Sequence, residues 1–124
     1  MTETDALYAV SPLDGRYGGR TAPLSPYASE AALMRARVRV EVEYLIALAD
    51  CEATPLELDG EDREHLRGLY NHFAEEDARL IKKLETEGHA DFEATNHDVK
   101  AVEYFVRHRL PEDSDASAWI HFGL

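Results

Sequence analysis

A single cysteine, Cys51, and the lack of any apolar run of about 18 residues limit what this sequence can encode. One cysteine excludes a disulfide within the chain and suits a reducing compartment, so we expect a cytoplasmic protein. Without a long apolar run there is no candidate transmembrane helix, and no membrane partner is expected. The acidic start of the chain also lacks the basic and apolar regions of a secretory signal.

Basic residues are scarce, since 13 lysines and arginines stand against 25 aspartates and glutamates and give a formal net charge of -12. Nucleic-acid phosphates repel such a balance, so nucleic-acid binding is not expected. The acidic excess raises the hypothesis of adaptation to high salt. We expect no metal, because the lone cysteine and the histidines show no zinc-ligand spacing. The histidines are His65, His72, His89, His97, His108 and His121. We also expect no cofactor.

Apolar residues, which with tyrosine and cysteine make up 44% of the sequence, recur at helical spacing in three stretches. The spacing predicts helices over residues 29–51, about 61–87 and about 96–109, where Pro111 ends the last one. The preceding residues 1–28 carry prolines and glycines typical of turns, and predict an extended, loop-rich arm. We therefore predict an all-α fold in a single domain, 1–124, with its helices within 29–110.

The segment Asn96-His97-Asp98 places three polar side chains at the start of the third helical stretch. An asparagine at a helix start can cap the open backbone N–H groups, which themselves favour a carboxylate or a phosphate. His97 could act as an acid, a base or a hydrogen-bond donor, as histidine side chains do near neutral pH. The alternative is that Asn96 only caps the helix and His97 is solvated. Lys100 could bias this helix end towards an anion or could equally be solvated.

A second polar motif, residues 11–17, lies in the predicted arm. Arg16 offers a planar fork of donors suited to phosphate or carboxylate, and Tyr17 adds a hydroxyl group and a stacking face. Pro12 stiffens the approach and Gly15 frees the backbone for a tight turn. The alternative is an ordinary surface turn with a solvated arginine.

Together the two motifs resemble those in the amino-terminal part of adenylosuccinate lyases of the bacterial type, in the fumarase/aspartase superfamily. The resemblance covers essentially the whole chain. Besides residues 11–17 and 95–104, it includes residues 73–78 with Ile81-Lys82, and the segment Ile120-His121-Phe122.

The resemblance implies a β-elimination that cleaves adenylosuccinate to AMP and fumarate, and the succinylated carboxamide ribotide to its amide and fumarate. It implies that Arg16 and Tyr17 contact the nucleotide, with Arg16 at the phosphate. Asn96, His97 and Asp98 would line the same substrate site, and His97 would orient the substrate rather than act as the general acid. The implied protein is a homotetramer of purine nucleotide biosynthesis whose amino-terminal domain is helical.

In this family the general-acid histidine, the serine base and a substrate-contacting Thr-Ser segment follow the stretch that resembles this chain. We therefore expect residues 111–124 to begin the linker to a central bundle, and the truncated 124-residue chain alone to be inactive. Asp98 could accept a ribose hydroxyl or an N–H of its own helix, and we expect His121 to pack as a structural residue. Two alternatives stay open: a small helical interaction module without catalysis, and another fumarate-releasing lyase of the superfamily.

Overall fold

The computed structural model describes residues 3–111 and 113–124, and for residues 3 and 4 the backbone alone. Its regular structure is helical, as predicted, and the described residues form no strand. The α-helices are α1 (Glu3–Leu7), α2 (Gly18–Thr21), α3 (Ser25–Ala28), α4 (Glu30–Asp50), α5 (Gly60–Asn71), α6 (Glu75–Thr86) and α7 (Asp98–His108), with 3₁₀ segments at Ala22–Leu24 and Asp115–Trp119. Within the described residues, no helix is long and apolar enough to cross a membrane.

The chain divides into two compact units, the first ending at Leu33 and the second beginning at Met34. The single domain expected over residues 1–124 stays a prediction, and so does the linker expected at residues 111–124. Residue 112 of that linker lies outside the described residues.

Short helical turns make up much of the first unit, which the turn signals alone did not predict. Pro23 and Pro26 each fall within the first two positions of a helical segment, where the missing N–H of proline costs no helical hydrogen bond. Neither α2 nor α3 nor the 3₁₀ segment between them contains a buried residue. These turns are therefore held by local hydrogen bonds rather than by a core of their own.

The second unit has the hydrophobic core, and α4 supplies one side of it. Val38, Val42 and Leu45 are almost fully buried and follow one another at helical spacing, as the sequence predicted. Each such burial contributes about 1.5–3 kcal/mol relative to exposure of the side chain. Core residues from the elements that follow include Leu56, Leu66, Ile81, Leu84, Ala101, Val102, Phe105, Val106, Ala116 and Ile120.

The second predicted helix, residues 61–87, is in fact two helices, so that prediction was wrong. The first of them, α5, begins with a capping box in which Asp59 accepts from the N–H of Asp62, and it ends at Asn71. The second, α6, begins at Glu75 and carries three acidic residues in its first turn. The Asp77 carboxylate accepts the backbone N–H of Ala74 at 2.9 Å, which marks the new helix start.

The end of α6 determines where the next segment runs. Gly88 has a φ of +91°, which favours glycine, and it stops the helix as predicted. Its N–H donates to the carbonyl of Lys83. The N–H groups of Thr95 and Asn96 donate to the carbonyls of Leu84 and Glu85 at 3.0 and 2.8 Å. The last carbonyls of α6 therefore hold the residues that lead into α7.

Candidate functional site

The motif at residues 11–17 forms a tight turn within the first unit. The N–H of Ser11 donates to the Asp14 carboxylate at 2.8 Å, and the N–H of Tyr17 donates to the Pro12 carbonyl at 2.7 Å. A Cβ at Gly15 would lie 2.3 Å from the carbonyl oxygen of Ala6. Glycine is therefore needed at residue 15 because the backbone of α1 passes too close for any side chain.

Arg16 and Tyr17 lie together at the end of this turn. The Arg16 guanidinium carbon is 5.4 Å from the centre of the Tyr17 ring, and that of Arg20 is 5.7 Å from the same ring. The side chains of Arg16 and Tyr17 border an open cleft of about 510 Å³. Its other walls come from α1 and the segment after it. The cleft is mainly apolar with one cation at its edge, which suits a flat ring that bears an anionic group.

Asn96 lies in the left-handed region, with a φ of 51°. Asparagine tolerates this conformation better than most residues. Thr95 holds the residue that follows Asn96. Its hydroxyl accepts the His97 N–H at 3.1 Å and donates to the His97 carbonyl at 2.8 Å. The backbone thus turns sharply at Asn96 and delivers His97 to the start of α7.

The capping residue of α7 is His97 and not Asn96, which corrects the sequence-based expectation. The Nδ1 atom of His97 accepts the N–H of Lys100 at 3.2 Å, and the carbonyl of His97 accepts the N–H of Ala101. Because Nδ1 accepts a hydrogen bond, the proton of the neutral imidazole resides on Nε2. His97 is therefore held as a donor through Nε2.

Asp98, the first residue of α7, has both carboxylate oxygens engaged. Oδ1 accepts the N–H of Val99 at 2.9 Å, and Oδ2 accepts from Nη1 of Arg37 at 2.9 Å. The Arg37 guanidinium and the Val99 N–H hold the pKa of Asp98 below its usual value. Of the two alternatives for Asp98, a ribose hydroxyl or an N–H of its own helix, the structure shows the bond to its own helix.

These side-chain caps weaken the expectation that the backbone N–H groups at the helix start bind an anion. The N–H groups of Val99 and Lys100 already donate to Asp98 and His97. An anion would have to displace those bonds to use the backbone donors. A side-chain donor left for a ligand at this end is consequently Nε2 of His97.

Lys100 lies on the same helix, with its ammonium group 3.8 Å from the Glu103 carboxylate and 5.5 Å from the centre of the Tyr104 ring. Its side chain is 52% exposed. The ammonium group therefore balances a buried carboxylate, and whether it also contributes to substrate binding stays a prediction.

The structure brings Asn96, His97, Asp98 and Lys100 together at the start of α7, in the second unit. Arg16 and Tyr17 lie in the first unit, and a shared site for the two groups stays a prediction. Within the described residues no group of three potential metal ligands is present.

Sequence reasoning missed two partners on α4, because each pairs with a residue at least 61 positions away. One is Arg37, which binds Asp98. The other is Glu41, only 5% exposed, whose Oε1 lies 2.5 Å from Nδ1 of His121. No local pattern in the sequence signals contacts of this range.

Comparisons with known proteins bear on the identity of these motifs. The chain is 43% identical to an adenylosuccinate lyase of Dictyostelium discoideum over 125 residues, which are 95% of the chain and 25% of that protein. It is 42% identical to one of Legionella pneumophila over 127 residues and 40% identical to one of Escherichia coli over 126 residues, with 26% of each relative aligned. No protein-family model matches the chain.

The chain thus spans about a quarter of the length of the curated relatives it matches. It is similar to the amino-terminal part of adenylosuccinate lyases, and the resemblance predicted from the two motifs is confirmed.

Proposed function

Since nearly the whole chain is similar to the amino-terminal part of adenylosuccinate lyases, we propose that it is the substrate-binding amino-terminal part of such a C–N lyase. The reaction is a β-elimination that cleaves adenylosuccinate to AMP and fumarate, and the succinylated carboxamide ribotide to its amide and fumarate. The observation that carries the proposal is 40–43% identity to three such lyases over 95–98% of the chain.

In this proposal Arg16 and Tyr17 hold the nucleotide. The exposed guanidinium of Arg16 binds the phosphate, for which its paired donors suit the oxygen geometry. The apolar walls of the neighbouring cleft and the Tyr17 ring favour a flat purine base. Both residues belong to one tight turn, so phosphate and base are recognised from a single backbone segment.

His97 orients the substrate by donating a hydrogen bond. The cap at the start of α7 leaves Nε2 as the protonated nitrogen, which supports a donor rather than a base in the neutral form. Asn96 and Asp98 line the same site beside it, and Lys100 adds positive charge. In the family that the chain resembles, the general acid and base lie further along the sequence, so we expect the 124-residue chain alone to give no turnover.

The complete enzyme is a cytoplasmic homotetramer that acts in purine nucleotide biosynthesis.

A hybrid enzyme tests the proposed lyase function, with the present 124 residues in place of the aligned 26% of the Escherichia coli lyase. We expect the hybrid to release fumarate from adenylosuccinate in a spectrophotometric assay.

Two matched variants sharpen the test, because Arg16 and Arg20 contact the same Tyr17 ring. Arg16→Met should lower kcat/KM by about 10- to 100-fold, as expected for loss of a charged hydrogen bond, while Arg20→Met should change it little. Equal effects of the two variants would contradict the phosphate role of Arg16.

The hybrid also separates the alternative functions. A folded hybrid that is inactive towards adenylosuccinate would favour the interaction module. A hybrid that cleaves only a different succinyl adduct would favour another lyase of the superfamily.

A further inference from the structure

The contact between Arg37 and Asp98 joins two helices at the start of α7. Nη1 of Arg37, on α4, donates to Oδ2 of Asp98 at 2.9 Å. The Arg37 side chain is 30% exposed and that of Asp98 is 57% exposed. The contact lies directly beside His97, the capping residue of α7.

The charge balance at this helix start depends on that contact. A carboxylate in the first turn favours the helix, but it also repels an anionic ligand. Arg37 offsets the charge of Asp98 on the side away from the Val99 N–H. Glu103 is balanced separately by Lys100, with Arg107 4.0 Å away on its other side.

Arg37 also restricts how the start of α7 can move. Asp98 is bonded to α4 through Oδ2 and to its own helix through Oδ1, so its backbone is held from two directions. His97 precedes it by one residue and has its imidazole fixed at Nδ1 by the N–H of Lys100. A movement of Asp98 would change the direction in which Nε2 of His97 points.

We infer that Arg37 is a positioning residue, which holds the His97–Asp98 helix start in place and offsets the Asp98 charge beside the substrate-orienting histidine. The consequence for catalysis rests on the proposed function, whereas the consequence for the helix start does not. The contact uses a single guanidinium nitrogen, so lysine should replace arginine in part.

Amide hydrogen exchange on the 124-residue chain tests the positioning role directly. In Arg37→Met, the N–H groups of Val99 and Lys100 should exchange about three- to fivefold faster, in line with loss of a partly exposed ion pair. Arg37→Lys should restore much of the protection. The N–H of Val102, deeper in α7, should keep its rate, because only the helix start loosens.

A double-mutant cycle with Asp98→Asn isolates the pair. In that background Arg37→Met should add little, since its partner charge is already gone. The matched control is Arg79→Met, which removes an exposed ion pair of α6 with Glu75 and should leave the α7 amides unchanged. Unchanged exchange in Arg37→Met, or full additivity with Asp98→Asn, would overturn the inference.

Turnover of the hybrid enzyme gives the catalytic consequence. Arg37→Met should lower kcat/KM by about five- to tenfold, on the scale of a modest loss of orientation, with recovery in Arg37→Lys and no change in Arg79→Met. An unchanged kcat/KM in an active hybrid would overturn the catalytic part. An inactive hybrid would instead count against the proposed function, while the exchange experiment still decides the positioning role.

Discussion

At the start of α7, an imidazole nitrogen takes the place that a side-chain oxygen occupies at most helix starts. This arrangement gives His97 two tasks. Nδ1 satisfies a backbone donor, and Nε2 is left to donate to whatever binds in front of the helix. Under the proposed function, stability and substrate binding therefore depend on different atoms of one ring, and substitutions can separate them.

Substitution of His97 by serine or alanine should separate these tasks. Serine is a favourable cap and should keep the free energy of unfolding within about 0.5 kcal/mol, whereas alanine should lower it by about 1 kcal/mol. Urea denaturation of the 124-residue chain measures both values. In the hybrid enzyme the two variants should lose activity equally, because both lack the Nε2 donor. A serine variant as destabilised as the alanine variant would show that His97 does not act as the cap.

Gly88 is the residue at which a side chain is least tolerated in the α6–α7 connection. Its φ is +91°, and a Cβ would lie 2.8 Å from the Phe92 carbonyl oxygen. Gly88→Ala should lower the free energy of unfolding by about 2 kcal/mol, from backbone strain and the forced shift of Phe92. Gly60→Ala is the control, since no atom lies within 4 Å of a Cβ there. Similar losses in both variants would refute this account.

At the scale of elements, the connection between α6 and α7 explains which features the sequence could predict. Gly88 was predictable as a helix stop, because glycine is common directly after helices. The two bonds from Thr95 and Asn96 to the last carbonyls of α6 were not, because they depend on how the chain returns to that helix. For the same reason the sequence favours Asn96, the commoner type of capping residue, whereas the fold uses His97.

The division of residues 61–87 into two helices shows the same limit. The apolar stripe continues through the break, so periodicity alone predicted one helix. The break is marked by the Asp77 carboxylate, which turns back to the N–H of Ala74. On α4, likewise, the buried stripe was predictable but the pairing of Arg37 with Asp98 was not, since it joins residues 61 positions apart.

The end of α7 carries a contact between two histidine rings. The centres of the His89 and His108 rings are 5.1 Å apart, at 87° to each other. Loss of solvent around its ring lowers the pKa of His108, and the nearby His89 and Arg109 lower it further. Protonation of His108 is therefore disfavoured in the folded protein relative to the unfolded chain.

The sign of the resulting pH dependence follows from that difference. As the pH falls through about 6.5, the unfolded chain binds a proton at this position before the folded protein does, so stability falls. The wild-type chain should lose more unfolding free energy than His108→Gln between about pH 7.5 and about pH 5.5. Urea denaturation at both pH values measures the difference. Parallel pH profiles for the two proteins would rule out a contribution from His108.

For the whole molecule, the net charge of -12 decides how salt acts on stability. Opposing effects are present, because salt screens both the repulsion among carboxylates and the attraction in ion pairs. The ion pairs are largely at the surface: Arg79–Glu75, for example, has side chains 77% and 74% exposed. Such pairs contribute about 0–1 kcal/mol each, so their loss on screening is small. The repulsion among the 12 excess acids acts over longer distances and should dominate.

We therefore expect added salt to stabilise the protein. The thermal unfolding midpoint should rise between about 0.1 M and about 1 M NaCl, over which the screening length falls from about 10 Å to about 3 Å. Potassium chloride should act equally, because screening depends on ionic strength and not on the identity of the cation. Replacement of two exposed acids, Glu52 and Glu57, by glutamine should reduce the rise, because neither has a basic partner among the described residues. A midpoint that is indifferent to salt would sink the hypothesis of adaptation to high salt, and a midpoint that falls would show that ion pairs outweigh the net repulsion.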